Sequence, residues 1–224
     1  MQENYPVLRR AQCFMVTGMI RHLPPSSAYI VTGTDTDVGK TTVAAALLRA
    51  SQGRYWKPVQ SGLDPATGRT DTQTMRAVTG LGDAHFLPET YYLTEPLSPH
   101  RAAELDGIVI EPEKILADYQ KYVVADPTPL LIETPGGLLV PLTRQLLFVD
   151  FMAQMQTVAP APLILVARTG LGTINHTLLS IEAVRARNLP LAGIIFSGLE
   201  NPDNIQTILD FSGAECLGHL AWQK

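Results

Sequence analysis

The sequence predicts an α/β protein in which helices cover both faces of a doubly wound, mainly parallel sheet. Short apolar runs alternate with segments of helical periodicity, and 224 residues with 46% apolar content suffice for one large domain. Continuous apolar strands separated by helices are typical of parallel sheets buried on both sides. Ligands bind such sheets at the carboxyl ends of the strands, so the residues that follow each run are the first candidates for a site.

The expected strands are runs of apolar, β-favouring residues without polar alternation. They are AYIV (28–31), YWKPV (55–59), LLIE (130–133), LILVA (163–167) and LAGIIFS (191–197). Helices are expected at 41–50, at about 70–78 and at 175–188. Because Pro58 has no amide hydrogen, its strand should end there or lie at the edge of the sheet.

Composition excludes several classes of function. A net charge of −4 provides no basic surface for nucleic acid, and no apolar run reaches the roughly 18 residues of a membrane-spanning helix. Two cysteines, Cys13 and Cys216, are too few for a disulfide framework and favour a cytoplasmic location. Residues 1–27 are expected to be a non-catalytic extension, with a weak signal-peptide core at 11–20 as the alternative, and residues 28–224 to be the single domain.

A phosphate-binding loop is predicted after the first strand, in the stretch TGTDTDVGKTT (32–42). Gly39, Lys40 and Thr41 match the end of the pattern G-x-x-x-x-G-K-[ST], although Thr34 stands where its first glycine belongs. Backbone N–H groups at a helix start bind phosphate oxygens, the lysine reaches the β- and γ-phosphates, and the hydroxyl ligates Mg²⁺. A merely capped helix start would explain the threonine but not the lysine. The predicted nucleotide contacts in the loop are Asp37, Val38, Gly39, Lys40, Thr41 and Thr42.

Further candidates follow other strands or begin the next helix. Lys57, with Ser61 just beyond it, is expected to place a second cation on the transferred phosphoryl group or an acidic substrate, unless it is a surface lysine. Glu133 precedes a Gly-rich turn, which suits a nucleotide- and metal-linked carboxylate as well as a simple strand end. Asp71 begins a helix, where the helix dipole alone favours an acid. Thr36 is expected to offer its hydroxyl to the group that accepts the γ-phosphoryl.

Taken together, these motifs resemble the dethiobiotin synthetase family of the biotin pathway. The resemblance covers about residues 28–222 and is carried by the loop with YWKPVQSG, GRTDT, EPLSPHRAA, IETPGGLLVPL, TGLGTINHTLLS and GHLAW. It implies the P-loop NTPase fold, a homodimer, ATP with Mg²⁺, and the substrates 7,8-diaminononanoate and CO2. In the implied reaction one amine becomes a carbamate, the γ-phosphoryl passes to it, and the second amine closes the ureido ring.

The matching positions imply roles for the candidates. Lys40, Lys57 and Thr36 would be catalytic, and Ser61 would face the carbamate. The residues implied to organise Mg²⁺ are Thr41, Asp71 and Glu133, and those implied to hold the substrate carboxylate include Gly172 and Asn175. From the residues alone, Asn175 is equally an N-cap of the helix behind Gly172. Ser197 is implied to lie at the nucleotide, although Ser197-Gly198 replaces the Asn-Asp that reads adenine in many relatives.

Two other functions remain open at this point. A partition or positioning switch of the same loop type carries a lysine five residues before the loop lysine, where this chain has Asp35. An amide-forming ligase of the cobyrinate type would bring a glutaminase domain with a catalytic cysteine, and neither Cys13 nor Cys216 lies in a suitable turn.

Overall fold

A computed structural model describes residues 23–221, which contain a six-stranded sheet. Across the sheet the strands are β2 (Arg54–Trp56), β5 (Leu130–Glu133), β1 (Ala28–Gly33), β6 (Leu163–Arg168), β7 (Leu191–Ser197) and β8 (Cys216–Leu220). Every neighbouring pair is parallel. The chain winds from β1 toward both edges, so the predicted doubly wound α/β class is confirmed.

Helices alternate with these strands along the chain. They are α1 (Lys40–Ser51), α2 (Asp71–Thr79), α3 (Pro99–Asp106), α4 (Pro112–Ala125), α5 (Phe148–Val158), α6 (Thr173–Arg185) and α7 (Pro202–Ser212), with a 3₁₀ turn at Asp83–His85. A separate two-stranded parallel sheet pairs β3 (Val59–Ser61) with β4 (Tyr91–Leu93).

The two faces of the large sheet are buried in separate apolar clusters. Since side chains alternate along a strand, Ile30 and Ile132 join one cluster, with residues of α4, α5 and α6. Their neighbours Val31 and Leu131 join the other, with residues of α1 and α2. Each fully buried side chain of this size contributes about 1.5–3 kcal/mol. This two-sided burial explains why the strand sequences are apolar without interruption.

The single strand predicted at 55–59 is wrong, because the chain leaves the large sheet after Trp56. The carbonyl of Pro58 accepts hydrogen bonds from the amides of Thr90 and Tyr91, both at 3.0 Å, which directs the following residues to β4. The prediction that Pro58 marks a strand end is confirmed. Lys57 therefore lies in the bend between the two sheets, just past the carboxyl end of β2.

The helix predicted at 175–188 begins two residues earlier, at Thr173. Its N-cap is Gly172, and Asn175 lies inside the first turn, so the interpretation of Asn175 as the N-cap is wrong. By contrast, α2 begins after Thr70, whose side chain forms a capping box with Gln73.

The described part of the predicted N-terminal extension packs on the domain. Leu23 contacts the α1-side cluster, and the Tyr29 hydroxyl donates to the carbonyl of Pro24 at 2.5 Å. The predictions for residues 1–22, with Cys13 and the segment 11–20, lie outside the described residues. Within residues 23–221, no helix has the length and apolar character needed to cross a membrane.

Candidate active site

The loop between β1 and α1 wraps the N-terminus of α1. Gly39 caps this helix with φ 98°, a left-handed conformation that strains a side chain, and the amide of Val43 closes the first turn on the Gly39 carbonyl at 2.9 Å. Within the described chain, no side chain caps this helix start. The first N–H groups of α1 thus point out of the helix end, where an anion is favoured.

Lys40 is buried at this helix start, with 7% of its surface exposed. Its Nζ donates to the backbone carbonyl of Asp35 at 2.7 Å, so the lysine folds back across the loop. Burial, followed by repulsion from Lys57, lowers the pKa of Lys40 to about 8. A buried ammonium in this position is stabilised by any anion that enters the loop.

The structure brings the three predicted metal-linked residues together. Thr41 Oγ1 lies 2.8 Å from Glu133 Oε1 and 3.2 Å from Asp71 Oδ1, although Glu133 is 92 residues away in sequence. Thr41 lies in the first turn of α1, Asp71 begins α2, and Glu133 ends β5. The cluster therefore assembles at the carboxyl edge of the sheet, as expected from the strand ends.

Lys57 completes this cluster as its second cation. Its Nζ lies 2.6 Å from Asp71 Oδ2 and 3.2 Å from Glu133 Oε1, and both Lys57 and Glu133 are buried. The interpretation of Lys57 as a surface lysine is wrong. Burial disfavours its charged form, but the carboxylates of Glu133 and Asp71 outweigh burial and raise the pKa of Lys57 above its ordinary value. Burial likewise opposes ionisation of Asp71, yet Lys57 and the Thr41 hydroxyl hold the pKa of Asp71 below its ordinary value.

Sequence reasoning missed two residues that hold the acidic residues in place, Tyr55 at the carboxylate of Glu133 and Gln60 at the backbone of Asp71. The Tyr55 hydroxyl donates to Glu133 Oε2 at 3.0 Å from a fully buried side chain. Burial, then the Glu133 charge, raises the pKa of Tyr55, so the phenol keeps its proton. Gln60 accepts from the Asp71 amide at 3.1 Å and donates to the Gly62 carbonyl at 2.8 Å. Nothing beyond residue type marks either one in the sequence, where Tyr55 resembles a core residue and Gln60 directly follows the predicted strand.

The outer side of the loop faces solvent, where Asp35, Thr36 and Asp37 are all exposed. Arg168, at the end of β6, donates from Nη2 to the Thr36 carbonyl at 2.9 Å. Sequence reasoning missed this contact, because an arginine that ends a strand has no distinctive pattern. Arg168 ties the exposed tip of the loop to the central sheet.

The Gly-rich turn after Glu133 packs directly on the loop. A Cβ added at Gly137 would lie 3.3 Å from the Thr34 carbonyl oxygen, so only glycine allows this approach without displacement. The turn, the loop and α6 border an open pocket of about 320 Å³, lined by Thr34, Asp35, Val140, His176 and Ser180 among others. This pocket lies beside the loop and does not include the cluster around Thr41.

The other predicted residues lie around this edge of the sheet. Ser61 ends β3, and within residues 23–221 its buried hydroxyl oxygen has no hydrogen-bond partner. Gly172 and Asn175 are exposed at the start of α6. Ser197 ends β7 with 1% of its surface exposed.

The remaining predicted residues belong to the loop and to α1. Val38 is buried under the loop, and Asp37 adopts φ 55° at the tip of the loop. Thr42, in the first turn of α1, is half-buried.

Comparisons with known proteins give the family. The AAA domain family matches residues 27–224. The ATP-dependent dethiobiotin synthetase of Rhodopseudomonas palustris (strain BisB5) is 50% identical over 192 residues, which cover 85% of this chain and 84% of the relative. The ATP-dependent dethiobiotin synthetase of Nitrobacter hamburgensis is 48% identical over 195 residues, 87% of this chain and 86% of the relative.

One solved structure, the MinC:MinD cell division protein complex of Aquifex aeolicus, matches with a TM-score of 0.53 and 13% identity over 88% of this chain and 82% of that one. Such a likeness shows the fold alone, and it adds no support for a positioning switch. The geometry of the site is consistent with the family of the two relatives. The chain belongs to the ATP-dependent dethiobiotin synthetase family.

Proposed function

We propose that this chain forms dethiobiotin from 7,8-diaminononanoate and CO2 at the expense of ATP. The observation that carries the proposal is the meeting of Lys57, Asp71 and Glu133 with Thr41 at the start of a helix preceded by a phosphate-type loop. This set provides cations and anion-binding amides without a protein nucleophile. Such a set suits a reaction in which phosphoryl transfer activates a substrate carboxyl group.

The proposed chemistry has three steps. One substrate amine attacks CO2 and loses a proton, giving a carbamate. A carbamate oxygen then attacks the γ-phosphorus of ATP, which expels ADP and leaves a carbamic-phosphoric anhydride. Finally, the second amine attacks the carbamoyl carbon, the C–O bond to phosphate breaks, and loss of a proton completes the ureido ring. The products are dethiobiotin, ADP and phosphate.

The buried cations are the groups we assign to the transferred phosphoryl. Lys40 folds across the loop with its ammonium on a backbone carbonyl, from which it can turn to the β- and γ-phosphates. Lys57 is kept charged by two carboxylates and would face the carbamate side. Held in place before the reaction, such charges stabilise the developing negative charge without reorganisation. The amides at the start of α1, from Gly39 to Thr42, would bind the phosphate chain.

Mg²⁺ fits the donor set around Thr41. The hydroxyl and the carboxylates of Asp71 and Glu133 supply only oxygen donors, which are the ligands that Mg²⁺ prefers. When bound, Mg²⁺ would neutralise charge on the ATP phosphates. Lys57 also pairs with both carboxylates, and this single cation leaves the three groups with a net negative charge that a metal ion would neutralise.

Substrate positioning is assigned to the loop tip and to residues around it. Ser61 has a buried hydroxyl oxygen without a partner in residues 23–221, so a carbamate oxygen would satisfy it. Thr36, anchored by Arg168, would bind the carbamate from the exposed side. Gly172 and Asn175, at the start of α6, would hold the substrate carboxylate.

A homodimer and a cytoplasmic location are part of the same proposal. Leu139, Leu171 and Leu179 are exposed large apolar side chains, and Leu171 adjoins Gly172, so a second copy of the chain would cover them beside the carboxylate site. Molar mass from light scattering tests the dimer. The cytoplasm supplies ATP.

The reaction is tested by incubating the purified chain with the diamine, bicarbonate, ATP and Mg²⁺. We expect dethiobiotin and phosphate in equal amounts. Phosphate release without dethiobiotin would contradict the proposal. A requirement for glutamine would also contradict it and would favour the amide-forming ligase as the alternative. Replacing the diamine by a monoamine of the same length should stop ring closure.

A further inference from the structure

Tyr55 and Glu133 are brought together by the register of two neighbouring strands. In the β2–β5 pair Tyr55 lies beside Leu131, so Glu133, two residues further along β5, points to the same face of the sheet. The tyrosine ring reaches along that face, and its hydroxyl donates to Glu133 Oε2 at 3.0 Å. The contact is therefore fixed by backbone pairing.

The two oxygens of Glu133 have separate partners. Oε2 accepts from Tyr55, whereas Oε1 lies 2.8 Å from Thr41 Oγ1 and 3.2 Å from Lys57 Nζ. Rotation of the carboxylate about its last bond would exchange these partners. The two oxygens are chemically equivalent, so a half-turn restores the same contacts, but intermediate angles break them. The Tyr55 hydroxyl opposes such turning and fixes the plane of the carboxylate with one oxygen toward Thr41.

Tyr55 is itself held rigidly. Its side chain is fully buried, and its ring packs edge-to-face on Phe86 at a centroid distance of 6.3 Å. Its carbonyl accepts from the Leu87 amide at 2.9 Å, which fixes the segment behind the ring. The ring is therefore held where its hydroxyl meets the carboxylate of Glu133.

We propose that Tyr55 is a positioning residue that orients Glu133 Oε1 toward the divalent cation of the site. The inference rests on the proposed function in that Glu133 is taken as a metal-linked carboxylate. Partners that orient a ligand in this way are typically worth 10- to 100-fold in metal affinity or activity. A tyrosine that only fills the core would affect folding and leave the response to metal unchanged.

The test is Tyr55→Phe in the full chain, which removes the hydroxyl and keeps the ring. Mn²⁺ affinity in the presence of ADP, measured by electron paramagnetic resonance, should weaken 10- to 100-fold. The apparent KM for Mg²⁺ in turnover should rise by a similar factor, while kcat at saturating Mg²⁺ recovers most of its value. Tyr119→Phe is the matched control, because Tyr119 is equally buried and donates to the Ala159 carbonyl instead.

An affinity for Mn²⁺ and a KM for Mg²⁺ within twofold of the unaltered chain would overturn the proposal, as would equal effects in Tyr119→Phe. If Tyr55→Phe does not fold, Phe86→Leu loosens the ring support while keeping the hydroxyl. It should weaken Mn²⁺ binding several-fold, and an unchanged affinity there would also overturn the proposal. The Mn²⁺ measurement requires no turnover, so it remains decisive even if the unaltered chain makes no dethiobiotin.

Discussion

Thr41 Oγ1 and Glu133 Oε1 lie 2.8 Å apart across 92 residues of sequence. The first residue lies in the first turn of α1 and the second ends β5, and β5 is the hydrogen-bonded neighbour of β1. In a parallel sheet, adjacent strands end at the same edge, so a helix start after one strand meets the last residue of the next. The contact is a direct consequence of the fold, and Lys57 and Asp71 join it from the bend after β2 and from α2.

Glu133→Gln should be more destabilising than Asp71→Asn. Glu133 is almost fully buried in its pair with Lys57, whereas the Asp71 side chain is 30% exposed. Breaking a buried pair costs about 3–5 kcal/mol, and we expect the lower end because Asp71 still pairs with Lys57. Urea unfolding measures the difference. A larger loss in Asp71→Asn would show that Asp71 is the principal partner of Lys57.

Lys40→Met should abolish turnover while the chain remains folded. Methionine keeps most of the volume of the buried lysine stem and removes only the cation. Loss of one group that stabilises the transferred phosphoryl should cost about 3–4 kcal/mol of barrier, by analogy with the loss of an oxyanion donor. Lys114→Met, on the exposed surface of α4, is the control. A near-normal kcat/KM in Lys40→Met would contradict the interpretation of this segment as a phosphate-binding loop.

Arg168→Ala should weaken substrate use through Thr36. The guanidinium donates to the Thr36 carbonyl at 2.9 Å and fixes the exposed tip of the loop. Since the contact is exposed, we expect a loss of about 1 kcal/mol, roughly fivefold in kcat/KM for the diamine. Arg168→Lys should recover part of it. If KM for ATP changes and KM for the diamine does not, Arg168 acts on the nucleotide and not on Thr36.

The contribution of Tyr119 to the free energy of unfolding should become measurable at alkaline pH. Burial raises the pKa of Tyr119 to about 12, so the folded chain keeps a proton that the unfolded chain loses near pH 10. Its contribution to stability is complete below pH 10 and is lost as the pH rises toward 12. In Tyr119→Phe the decline in unfolding free energy between pH 10 and 12 should therefore be shallower. An unchanged slope would assign the decline to other groups.

The sequence predicted the central sheet because its buried strands are continuously apolar, as in Ile30 to Val31 and Leu163 to Ala167. It missed the edge strand β8, whose sequence CLGHL is interrupted by Gly218 and His219. It also missed β3 and β4, whose three-residue strands are too short for a periodic signal. The meeting of Thr41, Asp71 and Glu133 was predictable because each stands at a strand end or a helix start. Tyr55 was not, because a tyrosine in an apolar strand looks like core until the register to β5 is known.

Nucleotide choice should be loose. A site that reads adenine needs donors and acceptors fixed against the ring edge, and it rejects other bases because those groups are then left unpaired. Ser197 ends β7 with 1% of its surface exposed, so its hydroxyl is turned into the protein. Gly198 contributes only backbone, and its carbonyl already accepts from His219 Nε2 at 2.9 Å. Neither residue presents the paired contact of a carboxamide, so we expect GTP and CTP to support the reaction within about tenfold of ATP, or roughly 1.4 kcal/mol. Values of kcat/KM for the three nucleotides decide the matter, since a preference for ATP above a hundredfold would require that other groups read the base.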